Sequence, residues 1–429
     1  MNELFLAYLW ENRLYQHDIF TTDGLPVEVL YPGTKNSHAG PDFLQARIRI
    51  ADTLWAGNVE IHVNSADWYA HGHQNDKNYQ NVILHVVYHA DKEVLSADGI
   101  PIATMALEGR FDENLLLRYR KFIDSRQWIA CEQQVSDVQR FTWLSWLDRM
   151  IADRLELKTE EVLTDFRRLG NDWDAVFFHR LLLNFGFQVN EEGFRQLAQK
   201  LPFHLLLKHA DRPDQLEALL LGAAGFLTED MSDEYAVSLK KEWHFLKHKY
   251  ELDEMEVSQW RFMRMRPVNF PTVRLAQLAA IVHQNERMFS KIIEAPTVDE
   301  IKQLFVVQAS AYWDHHFYPG RPSASASPKR LGDLAQRLIL INSVSQVLFA
   351  YGHFNGREEI KDKALMLLES IGAEDNAVLR KFDKLGLKAY NALQSQALLH
   401  MKKHFCNPKR CLECRIGKTL IKSGEAFSG

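Results

Sequence analysis

Acidic and histidine side chains with metal-binding potential are concentrated in one short part of the chain. Asp42 opens an alternating stretch, and Glu60 and His62 lie two residues apart in the next one. Residues two apart on a strand point to the same face, and acids on neighbouring strands can share one cation. Carboxylate oxygens suit Mg²⁺ or Mn²⁺, and such an ion activates water against a phosphodiester. We therefore predict a metal site at Asp42 and Glu60.

Further histidines follow closely and leave a second interpretation open. His71 and His73 form an H-x-H pair, and His85 lies on the following apparent strand. Because imidazole nitrogens bind Zn²⁺ and similar ions, a histidine-rich hydrolase site on His62, His71 and His73 is an alternative. Each histidine taken singly also fits a structural, hydrogen-bonded role.

Four strands and two helices are predicted around these residues. Apolar residues recur at helical spacing over residues 1–15, and a short polar helix is expected at 76–80. Alternating or β-branched runs predict strands at 25–33, 43–52, 54–63 and 81–89. A hairpin with its turn at 97–100 is expected over 93–107. The resulting order is helix, three strands, helix, strand.

This order, together with the Pro-Asp and Glu-x-His motifs, resembles the PD-(D/E)XK nuclease superfamily. The resemblance implies a restriction endonuclease-like αβββαβ core in which Asp42 and Glu60 bind the metal with the Ile61 carbonyl, and Glu11 is an accessory acid. His62 stands where the superfamily has lysine. Imidazole is only partly charged near neutral pH and can join the metal instead, so the substitution puts conventional nuclease chemistry in doubt.

Three of the four cysteines are concentrated near the C-terminus. Cys406, Cys411 and Cys414 form a C-x4-C-x2-C array, in which thiolates can converge on one ion. His404 or the distant Cys131 is the candidate fourth ligand. The pattern predicts Zn²⁺ or a [4Fe-4S] cluster.

Basic residues surround these cysteines although the protein carries a net charge of -5. A local basic patch is what contact with a phosphate backbone requires, so nucleic acid is the expected partner; a solvated helix end is the alternative. The candidate nucleic-acid-binding residues are Lys402, Lys403, Lys409, Arg410 and Arg415.

A second basic stretch, residues 259–271, interleaves Arg261, Arg264 and Arg266 with Trp260 and Phe262. Aromatic and arginine side chains can stack on unpaired bases. Core packing of the aromatic rings, with the arginines on the outer face, is the favoured interpretation.

The 429 residues exceed the usual length of one domain. We predict a nuclease-like α/β domain over 1–130, a helical domain over 131–400 and a cysteine-rich basic tail over 401–429. The fold class is thus α/β plus all-α. A hydrophobic content of 46% and a charged content of 25% are ordinary for a soluble globular protein. The absence of a basic leader, of an apolar run of about 20 residues and of a disulfide framework predicts a cytoplasmic protein without membrane contact.

Over its whole length the chain is similar to a bacterial family catalogued as domain of unknown function 2851. The similarity rests on the motifs GPDF, VEIH, DWYAHGH and LHVVY and on the terminal cysteines. It implies no activity. The residues, together with the resemblance to the PD-(D/E)XK superfamily, predict a divalent-metal-dependent nuclease acting on DNA or RNA. The alternatives are a non-catalytic scaffold that binds nucleic acid or protein, and a histidine-rich hydrolase of small molecules.

Overall fold

The computed structural model describes residues 1–423, which form two compact units. The first unit contains Met1–Trp146 together with the chain from Met401 on, and the second is Leu147–His400. The described part of the predicted tail therefore belongs to the first unit, while residues 424–429 lie outside the described part of the chain.

A seven-stranded mixed sheet forms the centre of the first unit. Its order is β1-β2-β4-β5-β6-β7, with β3 paired to β4. Strands β2, β4 and β5 are antiparallel, whereas β6 and β7 run parallel to β5. The strands are β1 (Ile19–Phe20), β2 (Pro26–Tyr31), β3 (Thr34–Lys35), β4 (Phe43–Ile50), β5 (Thr53–Asn64), β6 (Val82–His89) and β7 (Thr104–Ala106).

Four helices belong to the first unit, and a long helix leads from it into the second. Helix α1 begins at Asn2, whose side chain accepts a hydrogen bond from the Phe5 N–H, and its residues from Phe5 to Trp10 are all buried. The four helices are α1 (Glu3–Glu11), α2 (Asp67–Ala70), α3 (Glu113–Asp124) and α18 (Arg415–Lys422), and the long helix is α4 (Arg140–Arg168).

The mixed α/β region predicted from the sequence is confirmed, and the predicted hairpin forms only near its turn. The expected turn forms, with Gly99 at φ 74°, and a single bridge joins Leu95 to Pro101. The chain then leaves this turn, and β7 pairs in parallel with β6 instead of completing a hairpin. Since β6 is buried over most of its length, it needs a neighbour for its backbone groups, and β7 supplies one.

The second unit is helical, as predicted. Asp172 caps α5 by accepting the N–H groups of Asp174 and Ala175. One small hairpin, β8 (His316–Tyr318) with β9 (Arg321–Pro322), enters the predicted loop 318–330. The helices are α5 (Trp173–Phe185), α6 (Phe187–Lys200), α7 (Phe203–Lys208), α8 (Pro213–Ala223), α9 (Glu234–Tyr250), α10 (Pro271–Gln284), α11 (Met288–Glu294), α12 (Val298–Gln303), α13 (Asp333–Ile339), α14 (Ser345–Phe354), α15 (Glu358–Ser370), α16 (Ala377–Lys384) and α17 (Ala392–Met401).

Within the described residues, no helix combines the length and the apolar character that crossing a membrane requires.

Candidate metal centre

Asp42 and Glu60 meet where β4 begins beside β5. The two strands are antiparallel, with Phe43 opposite Val59. The N–H of Asp42 donates to Oε2 of Glu60 at 3.0 Å, and the N–H of Ile61 donates to Oδ2 of Asp42 at 3.1 Å. Each carboxyl group is therefore held by the backbone of the neighbouring strand, which brings together the two acids predicted to share a cation.

A bulge in β4 follows directly after Asp42. The pairing register shifts between Phe43 and Ala46, and Gln45 has a φ of 59°. The N–H of Gln45 donates to Oδ1 of Asn58 at 3.2 Å. Because a bulge bends its strand and re-aims side chains, it separates the segment with Asp42 from the regular β4–β5 ladder.

Three histidine rings gather beside Glu60. Nε2 of His62 lies 3.1 Å from Nδ1 of His71, and the ligand nitrogens of His62, His71 and His73 all lie within 4.8 Å of one another. Oε1 of Glu60 is 3.6 Å from Nε2 of His62 and 3.4 Å from Nε2 of His73. Gly72 between the last two histidines has a φ of 76°, a conformation that glycine adopts without strain. This histidine cluster could hold a metal ion.

A second layer of side chains orients these rings. Nδ1 of His62 lies 2.8 Å from Nε2 of His85, which is opposite Glu60 in the β5–β6 register. The ring of Tyr79 stacks on His73 with centroids 3.8 Å apart, and Trp68 packs edge-on against the same imidazole. A metal-bound histidine usually has its other ring nitrogen hydrogen-bonded, and His85 gives His62 that arrangement.

Burial controls the charges at this centre. It raises the pKa of Glu60 to about 9, with a further contribution from the charge of Asp42, and it raises the pKa of Asp42 to about 6. It lowers the pKa of His62 to about 4 and that of His85 to about 3. At neutral pH these two histidines are neutral, and Glu60 keeps its proton while no cation is bound.

The donor atoms fit a transition-metal ion. Nε2 of His73 is buried and has no hydrogen-bond partner among the described residues, although Oε1 of Glu60 is close to it. Tetrahedral Zn²⁺ with Zn–N bonds of about 2.0–2.1 Å places its ligand nitrogens about 3.3 Å apart, which is near the spacing of His62 and His71. Imidazole with one carboxylate is a donor set for Zn²⁺, Mn²⁺ or a similar ion.

The acid of α1 that acts on this centre is Glu3. Its charge raises the pKa of both Asp42 and Glu60, and His71 acts on Glu3 in turn. The predicted accessory acid, Glu11, lies eight residues further along α1, about 12 Å at the helical rise. There it forms an ion pair of 3.5 Å with Lys418, so the structure does not bring it to Asp42 and Glu60.

A lysine that the sequence analysis missed lies near Asp42. Lys35 is in β3, opposite Phe43, and its positive charge lowers the pKa of Asp42 against the larger effect of burial. It also lowers the pKa of Glu413, which places the thiol-bearing end of the unit near the same lysine. Since β3 has only two residues, no alternation in the sequence could have revealed it.

All four cysteines belong to the first unit, and their thiol groups interact electrostatically, although among the described residues only the three histidines have the close spacing of a metal-ligand group. Burial raises the pKa of Cys131 to about 12, and the charges of Cys414 and Cys411 add to this effect. Burial also raises the pKa of Cys406, with contributions from Cys414 and Cys131. Of the two candidate fourth ligands, Cys131 interacts electrostatically with the other thiols, while the carbonyl of His404 accepts a hydrogen bond of 3.4 Å from Arg410.

The turn that carries Cys411 and Cys414 is tightly closed. Burial raises the pKa of Cys414 to about 11, and the N–H groups of Gly417 and Ile416, which donate to Sγ, offset part of this rise. A Cβ atom at Gly417 would collide with the carbonyl of Cys411, so only glycine fits there.

The predicted nucleic-acid-binding residues are mostly engaged within their own unit. Within the described part of the chain, Lys403 is exposed, whereas the other four residues contact neighbouring groups. Lys402 lies over the ring of Trp128 at 4.9 Å, Lys409 donates to the Ile123 carbonyl, Arg410 pairs with Glu413, and Arg415 donates to Ser145 Oγ at 2.6 Å. Lys402, Lys409 and Arg415 thus attach the C-terminal segment to its neighbours. A phosphate group would have to compete with these existing partners.

Comparison with protein families identifies the chain. The model of a family described as "Protein of unknown function (DUF2851)" matches residues 3–377, and the chain belongs to this family. The match includes the acids, the histidines and Cys131 but ends before the three C-terminal cysteines. Searches of curated proteins and of solved structures found no match.

Proposed function

We propose that this member of the DUF2851 family is a divalent-metal-dependent phosphodiester hydrolase that cleaves nucleic acid. The observation that carries the proposal is the meeting of Asp42 and Glu60 on neighbouring strands, with three histidine nitrogens within 4.8 Å of one another beside them. The helix and strand order resembles that of PD-(D/E)XK nucleases and supports the same conclusion. If the two acids were paired with cations at the surface, a non-catalytic scaffold would be favoured instead. Glu60 is only 5% exposed, however, and it faces imidazole rings.

The mixed donor set favours Mn²⁺ or Zn²⁺ over Mg²⁺ at this centre. Magnesium prefers oxygen ligands, whereas neutral imidazole suits the later divalent ions. Glu60, His62, His71 and His73 would hold the ion, and Asp42 would complete its shell. When bound, such an ion lowers the pKa of water and offsets phosphate charge.

Two residues, His62 and Lys35, together take the place of the single lysine in the nucleases that this chain resembles. His62 is 1% exposed and its lowered pKa leaves it neutral, so it serves as a ligand and supplies no charge. Lys35 supplies a mobile cation near Asp42, where it would contact a phosphate oxygen of the substrate. Since Lys35 is exposed, a nucleic-acid strand can reach it.

The four cysteines are proposed to hold one structural metal centre, either Zn²⁺ or a [4Fe-4S] cluster. Supporting this are the electrostatic interactions among Cys131, Cys406, Cys411 and Cys414 and the N–H donors to Cys414. The centre would join residues from two distant parts of the chain. Thiols with raised pKa values are inert alone, and a metal would deprotonate them.

Cleavage assays test the nuclease proposal directly. Purified protein is incubated with labelled single-stranded DNA, duplex DNA and RNA, each with Mn²⁺, Zn²⁺ or Mg²⁺. We expect cleavage of at least one substrate, fastest with Mn²⁺ or Zn²⁺. Asp42→Asn and His71→Ala should each reduce the rate about 100-fold or more, because each removes a metal ligand.

The matched control is His89→Ala, on β6 and paired with Glu108 at the surface, which should retain the full rate. Absence of cleavage with all three ions, or a rate unchanged in Asp42→Asn, would refute the proposal.

The spacing of the three histidines also favours a second candidate, a metal hydrolase acting on small esters or amides. Such an enzyme would hydrolyse p-nitrophenyl acetate in a His71-dependent manner and leave every nucleic-acid substrate intact. The same set of variants therefore separates the two candidates.

A further inference from the structure

An open cleft of about 1250 Å³ lies within the helical unit, on a different unit from the histidines. Its wall is formed by α4, α5, α6, α10 and α13 and by the segment before α10. Seven of its lining residues are Arg or Lys and three are Glu, in a protein of net charge -5. The cleft is therefore locally basic.

Two of the three glutamates of the wall form ion pairs, and the third is hydrogen-bonded. Glu161 pairs with Lys158 at 2.8 Å and with Arg180 at 3.5 Å, and Glu191 pairs with Arg195 at 2.7 Å. Glu374 accepts hydrogen bonds from Ser395 and Gln396. Among the described residues, four arginines of the wall have no carboxylate within ion-pair distance: Arg264, Arg266, Arg274 and Arg330. A further wall arginine, Arg154, interacts with the charges of Glu374 and Glu161.

Arg274 is fixed in the wall before any ligand arrives. It is only 7% exposed, and its Nη atoms donate to Gln277 at 2.9 Å and to Asn269 at 2.7 Å. Its guanidinium lies 4.8 Å from the centre of the Phe187 ring, while its Nε has no partner among the described residues. A buried cation without a counter-charge costs stability, and an anion bound beside Arg274 would offset that cost.

The basic stretch 259–271 presents two further arginines to the same cleft. Trp260 donates to the Ala224 carbonyl at 2.8 Å, and Phe262 packs edge-on against Phe226. The favoured interpretation of these aromatic rings as core residues is therefore correct. Because the rings anchor the segment, they leave Arg264 and Arg266 exposed at the wall.

We infer that this cleft binds closely spaced phosphate groups, those of a nucleoside polyphosphate or of a short nucleic-acid strand. Guanidinium groups bind phosphate oxygens in pairs, and several uncompensated ones in one concavity match several adjacent negative charges. The cleft exceeds the usual 300–1000 Å³ of small-molecule sites, which leaves room for more than one phosphate. Apolar side chains of Val189, Val268 and Leu334 at the wall can contact the sugar or base.

The inference is independent of the nuclease proposal, because it concerns another unit and needs no divalent ion. Binding is measured by calorimetry on the full chain in EDTA with ATP, tripolyphosphate and an eight-residue oligothymidylate. We expect binding of ATP or of the oligonucleotide. The double variant Arg264→Gln/Arg266→Gln should weaken it at least tenfold, and the affinity of the wild type should fall with added salt.

The control is Arg357→Gln, whose side chain pairs with Glu359 at 2.7 Å and does not line the cleft. It should bind as the wild type does. Both substituted arginines of the test variant are exposed, so its melting temperature should match that of the wild type and show that the fold is intact.

Each outcome decides the inference. Binding of ATP and tripolyphosphate alone identifies a free polyphosphate ligand, and binding of the oligonucleotide alone identifies a strand. Absence of binding to all three probes, or equal affinity in the double variant and the wild type, would overturn it.

Discussion

The histidine cluster and the thiol cluster are built in opposite ways within one unit. The acids and histidines come from a short stretch, residues 42–85, and the β4–β5 and β5–β6 pairings position most of them. The thiols come from residue 131 and from residues 406–414, and no sheet supports them. A site on paired strands keeps its shape when one ligand is lost, whereas a site that joins distant segments holds those segments together. The first arrangement suits chemistry and the second suits structure.

The largest expected effect is on stability when the thiol cluster is broken. Cys414→Ser should abolish metal content at that cluster and lower the melting temperature by about 10 °C or more. The reason is that loss of a structural metal costs several kcal/mol and each kcal/mol is worth about 2–4 °C in a domain of this size. Differential scanning calorimetry with metal analysis measures both quantities.

His71→Ala is the matched comparison, because His71 is exposed and belongs to the other cluster. Its melting temperature should stay within about 2 °C of the wild type. Equal losses of stability in the two variants would remove the distinction between a catalytic and a structural cluster.

A smaller effect is the pH dependence of stability that Glu60 causes. Its folded-state pKa of about 9 lies above the ordinary value of 4.5, so it contributes stability that is fully present below 4.5 and lost as pH rises through 9. His62 and His85 have lowered pKa values, so their contribution is present above 6.5 and lost at lower pH. In EDTA, we therefore expect the wild type to lose stability relative to Glu60→Gln between pH 7 and 9.

Thermal melts of both proteins across this pH range measure the difference. Saturating Mn²⁺ or Zn²⁺ should reduce the dependence of the wild-type melting temperature on pH, since a bound cation keeps Glu60 ionised at all these pH values. Parallel melting curves for the two proteins in EDTA would contradict the assignment of a buried, protonated Glu60.

The smallest expected effect separates the two acids of α1. Glu3→Gln should weaken metal binding about threefold, because Glu3 acts on Asp42 and Glu60 through space. Glu11→Gln should leave the metal affinity unchanged, since Glu11 pairs with Lys418. The Mn²⁺ affinity of each variant is measured by titration calorimetry. A larger loss of affinity in Glu11→Gln than in Glu3→Gln would restore the prediction that Glu11 is the accessory acid.

The sequence was most informative where a short-range pattern decides the structure. Alternation revealed β4 and β5, and the pleat placed Glu60 and His62 on one side. The sequence could not show whether Glu3 or Glu11 acts on the metal centre, because both lie on α1 and tertiary packing decides which end of the helix meets the sheet. Lys35 lies in a strand too short to show a pattern. The meeting of Cys131 with Cys414 spans most of the chain and carries no local signal.

The division of the chain has a consequence for synthesis on the ribosome. The first unit needs the segment that starts at Met401, yet residues 147–400 are translated before it. The helical unit can fold as soon as it emerges, because domains fold as units during translation. The sheet must wait for the last cysteines, so a chain that stops early has a finished helical unit and an incomplete first unit.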